Sequence, residues 1–139
     1  MTRHRALAVL AFAALLPGRA AAGALAECQP AGREFEDVAR CLTALDLETL
    51  AALQQAEQRA AAAAREHDER TKRGNTTYAA LAQSARAFAL YQGAQCDYVH
   101  ATTPGANVRP KSAGPAGADL ARIACRIDLA RRRIDELGH

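Results

Sequence analysis

The stretch "DLARIACRIDLARRRIDELGH", residues 119–139, carries the clearest periodic signal in the chain. Its apolar residues Leu120, Ile123, Ile127, Ala130, Ile134 and Leu137 step by three and four, which is the stripe of an amphipathic helix rather than the alternation of a strand. Asp119 is placed to cap it. Cys125 does not share the stripe: two residues beyond Ile123, it lies about 200° around the helix. A thiol on the back of an amphipathic helix needs a partner of its own. A bridge to Cys96 supplies one, with a preceding helix then meeting the Ala121, Cys125 and Leu129 side and leaving the apolar stripe to other helices. The stripe also resembles one side of a heptad seam, so it leaves open packing within the domain or against a second copy.

Working back toward the N-terminus, "TTPGANVRPKSAGPAGA", residues 102–118, holds three Pro and three Gly at no helical spacing and reads as a long loop. Before it, Leu81, Ala85, Phe88, Gln92, Gln95 and Val99 fall near one face of a helix expected from about Thr77 to Thr102. Further upstream the pattern predicts two helices. A short one, "REFEDVARCL", carries Phe35, Val38, Ala39, Leu42 and Cys41. A longer one opens at Thr43, with Asp46 completing a variant capping box, and stops at Gly74. Its late part sets Glu66 with Arg70, Asp68 with Lys72 and Glu69 with Arg73 at i, i+4, the mark of a solvated face. No run of alternating β-branched residues occurs. The fold class expected is therefore all-α: a small disulfide-stapled bundle of about four helices with a long Pro/Gly loop before the last.

The beginning of the chain, "MTRHRALAVLAFAALLPGRAAAGALAEC", has a basic start, an apolar run from Ala6 to Leu16 and small residues ending at Ala26, the layout of a secretory signal peptide. The run is about half of the ~20 residues a spanning helix needs, which argues against a permanent membrane anchor. Glu27 directly before Cys28 argues against lipid attachment. The expected division is residues 1–26 as signal peptide and 27–139 as one helical domain. Removal of the leader takes Arg3, Arg5 and Arg19 with it, so Lys plus Arg falls from 18 to 15, equal to Asp plus Glu. A neutral domain lacks the basic surplus of a nucleic-acid binder.

Cys28, Cys41, Cys96 and Cys125 all follow the leader, and an even count in an exported small domain reads as two disulfides. Of the three possible pairings, Cys28 with Cys41 and Cys96 with Cys125 join neighbouring segments. The expected domain has five aromatic residues and no Trp among abundant Ala, so its core is thin and covalent staples compensate for it.

Candidate reactive groups are few. Cys96 with His100 and Asp97 with His100 share a helical side and could hold a metal, but a disulfide-bonded sulfur is a poor ligand and two ligands make no site. The triplet Arg131, Arg132 and Arg133 could meet an anionic partner. Its spacing to Asp128, Asp135 and Glu136, near a helix C-terminus, reads instead as a solvated, dipole-matched face. There is no nucleophile and base set, no phosphate-cradling Gly-rich loop and no cofactor motif, so neither an enzyme nor a cofactor is expected.

The blocks "YAALAQSARAFALYQGAQCDYVHATT" and "ARIACRIDLARRRIDEL", separated by the Gly and Pro interruption, resemble the lysozyme inhibitor LprI-like, N-terminal domain family. Phe88, Tyr91, Cys96, Cys125, Leu129, Arg133 and Leu137 stand on the positions of its aromatic, Tyr-Arg-x-x-x-Cys and Cys…Leu-x-x-x-Arg-x-x-x-Leu pattern. Phe88 replaces the family's usual Trp, and Gln92 its usual Arg. Upstream, Cys28, Cys41 and "LDLETLAAL" resemble the family's first Cys pair and following helix. The resemblance implies an exported, all-helical, disulfide-stapled domain whose partner is lysozyme or another envelope protein. Lysozyme carries a pair of carboxyl groups in a cleft. A protruding loop bearing Val108, Arg109 and Lys111 could enter such a cleft and bind one of them by charge-assisted hydrogen bonds.

Overall fold

The computed structural model describes residues 23–29, 34–104 and 117–138. They form four helices and, among the described residues, no strand: α1 (Ala24–Cys28), α2 (Phe35–Thr71), α3 (Thr76–Thr102) and α4 (Gly117–Leu137). The helix count matches the expectation, but the helices are not all the expected ones.

The break expected between Leu42 and Thr43 does not occur, and α2 runs unbroken through 37 residues, about 55 Å. Thr43 makes no cap; its hydroxyl donates to the Ala39 carbonyl oxygen at 2.8 Å, a bond that needs helix on both sides. The reason lies in the core. Val38, Leu42, Thr49, Leu53 and Ala56 are all buried and form one continuous stripe, and no Gly or Pro interrupts it. A local capping pattern is worth about 1 kcal/mol, less than the burial of this stripe against α4. The missed element is α1, which straddles the boundary expected after Ala26. Asp119, expected to cap α4, lies instead inside its first turn.

α4 is the central helix. Leu120, Ile127 and Ala130 from its stripe are buried, with Ile123 packed against the same cluster, so the stripe is used within the domain. Ala24, Cys28, Val38, Leu42, Leu120, Ala124 and Ile127 make one core where α1, α2 and α4 meet. Leu42 and Ile127 are fully buried, each worth roughly 1.5–3 kcal/mol. Leu129, on the other side of α4, is also buried.

α3 lies antiparallel to α4, with the expected face turned inward. Its Leu81, Ala85, Phe88, Gln92, Gln95 and Val99 are half-buried, yet Cys96 is the only α3 residue that is fully buried. Hydrophobic burial alone therefore holds α3 weakly, and its attachment depends on specific ties.

At the far end, α2 and α3 continue as a two-helix hairpin. Lys72 takes the left-handed conformation at φ 56°, its N–H donating to the carbonyl oxygens of Asp68 and Glu69, and Gly74 follows at φ 65°, where a side chain would be strained. Asp68, expected on a solvated face beside Lys72, is buried at 2 % exposure. Its carboxylate accepts the Thr77 and Tyr78 N–H groups at 3.0 Å each, capping α3 from the neighbouring helix. Burial raises its pKa, but the Thr77 hydroxyl, the two backbone donors and nearby His67 outweigh that and hold it below the ordinary 3.8. Of the expected i, i+4 pairs on this stretch, Glu66 with Arg70 is present at 4.0 Å between exposed side chains.

Candidate functional site

Both disulfides pair as the neighbouring-segment reading expects. Cys28–Cys41 joins α1 to α2 and Cys96–Cys125 joins α3 to α4, with Cα separations of 5.7 and 5.6 Å. The off-stripe position of Cys125 is thereby accounted for: it faces α3.

The α3–α4 tie is a ladder in antiparallel register. Arg133 lies over the Phe88 ring at 5.7 Å and donates to the Ser84 hydroxyl at 2.8 Å. Gln92 donates to the Arg126 carbonyl oxygen at 3.0 Å. Then come the Cys96–Cys125 bridge, the Asp97–Arg122 ion pair and the contact of His100 Nε2 with Asp119 Oδ1 at 3.2 Å. The last three rungs lie directly before the 102–118 segment on one side and directly after it on the other. They answer the question raised by the Cys96, Asp97 and His100 cluster. Each of these residues has its own partner on α4, and among the described residues no group of three or more His, Cys, Asp or Glu could hold a metal.

The arginine triplet is not the solvated face its spacing suggests. Arg131 donates to Glu27 of α1 at 2.7 Å, and this hydrogen bond, ahead of the opposing cost of burial, raises its pKa above the ordinary value. Arg133 keeps only 11 % of its side chain exposed, with Glu136 at 3.4 Å. Of the three, Arg132 alone remains fully on the surface. Local i, i+4 partners lose because α1 and α3 bring carboxylate, hydroxyl and ring within reach of this row on α4.

The family-pattern residues separate into three kinds. Phe88 and Arg133 join α3 to α4, Leu129 is buried, Leu137 is half-buried near the end of α4, and Tyr91 is 55 % exposed. Gln92 hydrogen-bonds across to α4 from the position where Arg is usual. A groove of about 270 Å³ runs beside it, lined by Asp46, Leu50, Leu53, Gln92, Arg126 and Ala130, with Asp46 paired to Arg126. Near it, Leu47 and Leu50 of α2 are 66 % and 61 % exposed, and on α3 Leu90, Tyr91 and Tyr98 are exposed as well. Sequence reading missed the exposure of these side chains because, on a helix buried along one stripe, outward apolar residues are noticed only once the inward set is known.

Val108, Arg109 and Lys111 lie outside the described residues. The geometry fixes instead the two helix ends that bound that segment, Thr102 at the end of α3 and Gly117 at the start of α4, and the ladder that joins them. No helix among the described residues is long and apolar enough to cross a membrane.

Residues 27–137 match the family model described as lysozyme inhibitor LprI, and the chain belongs to this family. No curated protein and no solved structure matches it.

Proposed function

From that membership we propose that the chain is an exported, non-enzymatic protein of the cell envelope that inhibits lysozyme by occluding its cleft. The observation that carries the proposal is the family match over nearly the whole helical domain. The two disulfides, and the signal-peptide layout read in residues 1–26, agree with an oxidising compartment outside the cytoplasm. Periplasm and secreted fluid are both places where lysozyme would be met.

The proposed contact is the 102–118 loop. Its base is held by a disulfide and two polar contacts, so its ends do not have to be ordered when a target binds. Arg109 or Lys111 would donate to a carboxylate of the lysozyme cleft, a charge-assisted bond strengthened by exclusion of water, and Val108 would add apolar contact. Purified protein is expected to slow the clearing of a bacterial suspension by lysozyme in proportion to its concentration. Arg109→Ala with Lys111→Ala is expected to weaken that inhibition at least tenfold without lowering thermal stability. Full inhibition by the double variant would remove the loop from the mechanism and leave inhibition itself standing.

A second reading, a helical module that holds another envelope protein, has its own support in the exposed apolar side chains Leu47, Leu50, Leu90, Tyr91 and Tyr98. No effect on several lysozyme types at large molar excess would favour it. Leu47→Ser with Leu50→Ser would then be the variant expected to lose the partner.

A further inference from the structure

The last residues of the segment read as leader are built into the fold. Ala24 is fully buried in the core of α1, α2 and α4, and Leu25 packs against that core. The Ala24 N–H donates to Asp128 Oδ1 at 2.8 Å, and the Glu27 N–H donates to the Gly23 carbonyl oxygen at 3.1 Å. A Cβ on Gly23 would stand 2.9 Å from Asp128 Oδ2. Because the other oxygen of that carboxylate is held by Ala24, it cannot swing aside without losing the bond, so this position requires glycine. A cut after Ala26 would remove all of this and uncover Cys28 and Asp128. A cut between Ala22 and Gly23 would keep it, and Ala20 and Ala22 supply the same small-x-small pattern there that Ala24 and Ala26 supply four residues later.

We infer that the leader is removed between Ala22 and Gly23 by an Ala-x-Ala-specific signal peptidase, and that the new Gly23 ammonium becomes part of the fold by pairing with Asp128. The inference rests on the export reading and changes its boundary. Chemically, water adds across the Ala22–Gly23 amide. Its hydroxyl goes to the Ala22 carbonyl carbon, which leaves as the leader's carboxylate, and its hydrogen together with the acid proton goes to the Gly23 nitrogen, which becomes –NH₃⁺. That nitrogen and the Cβ position share one Cα, so it lies within roughly 5 Å of Asp128 Oδ2, close enough for strong attraction. The pair can exist only after cleavage at this bond, which makes processing a step that stabilises the domain. α1 is thus a mature N-terminal clamp fastened at three points: by its ammonium to Asp128, by Glu27 to Arg131 and by Cys28 to Cys41.

The test is expression of the full 139-residue chain in a bacterium with an export pathway, followed by fractionation and N-terminal sequencing of the product. The expected exported protein begins Gly23-Ala24-Leu25. A product beginning at Glu27 would overturn the inference and leave export intact, whereas an uncut chain confined to the cytosol would refute the export reading together with it. Asp128→Asn is expected to be cut at the same bond and to melt about 5 °C lower, and an unchanged melting temperature would overturn the ammonium–carboxylate pair. Ala22→Leu, which blocks the −1 position, is expected to move the cut to Ala26 and give a less stable protein. Equal stability of the two products would show that residues 23–26 do not belong to the mature fold.

Discussion

The two ends of this bundle are held by different chemistry. At one end α1, the start of α2, the end of α3 and the start of α4 meet around both disulfides, the Leu42 and Ile127 core and a set of cross-helix ion pairs. At the other end α2 and α3 turn back on each other, with Ala64 and Asp68 buried, the Asp68 cap on α3, and Arg65 over the Tyr78 ring at 4.3 Å. The stapled end holds together the two helix ends, Thr102 of α3 and Gly117 of α4, that flank the segment proposed to meet a target. The hairpin end has no disulfide and is held by a well-satisfied carboxylate, one buried alanine and a cation over a ring. In a domain with few large side chains, the covalent ties are concentrated at the end where α1, α3 and α4 meet.

The largest effect should come from breaking the stapled end. Cys96→Ser with Cys125→Ser removes a bridge between residues 29 apart, and the chain-entropy account predicts a loss of roughly 3–4 kcal/mol in a denaturant titration. Because Cys96 is the only fully buried residue of α3, hydrogen exchange should quicken along the end of α3 while the Asp68 turn keeps its protection. Uniform quickening along the chain would show that the ends are not separable. Ile127→Ala should follow, with a loss of about 3 kcal/mol from the cavity it leaves in the core, measured by the same titration.

The hairpin end is probed by pH. Asp68 has a folded pKa below its unfolded value, so the stability it confers is fully present above about pH 4 and is lost as pH falls through the lower folded value. Asp68→Asn should therefore melt several degrees below the parent at pH 6, and the difference should shrink in acid. A difference that stays constant down to about pH 2 would mean that the charge of Asp68 is not what holds the turn. Smallest of all should be Arg122→Ala. Its pair with Asp97 is about half exposed on both sides, and its loss should cost under about 1 kcal/mol and vanish in high salt. A larger loss would mean that the rungs beside the disulfide act as a unit.

Much of the scaffold could be read without coordinates. The stripe of α4, the inward face of α3 and the off-stripe Cys125 are properties of spacing along one helix, and spacing survives folding unchanged. Outside the cysteines, legibility failed where a residue's partner lay on a different helix. Thr43 and Asp46 look like a cap until the Val38 to Ala56 stripe is seen to need a helix straight through them. Asp68 looks like one member of a solvated charge row until the chain turns at Gly74 and brings the N–H groups of Thr77 and Tyr78 to it. Arg131 and Arg133 have local acidic neighbours, yet Arg131 pairs with Glu27 of α1, and Arg133 reaches Ser84 and Phe88 of α3 as well as Glu136. Of the candidate site, the loop composition and the cysteine at each end were visible, while the His100–Asp119 and Asp97–Arg122 rungs that fix its base were not.

What the sequence determined by itself is the helical class, the inward faces of α3 and α4, and the expectation of two disulfides, because each depends on periodicity or on the parity of thiols along the chain. Only the tertiary structure decided that α2 is one helix and that Asp68 is a cap. It alone turned the arginine row into ties and set Gly23 and Ala24 against Asp128 of α4. Those outcomes depend on which groups meet across helices. Helix propensity and capping differ by about 1 kcal/mol between the alternatives, a margin that a buried stripe or a satisfied buried carboxylate exceeds.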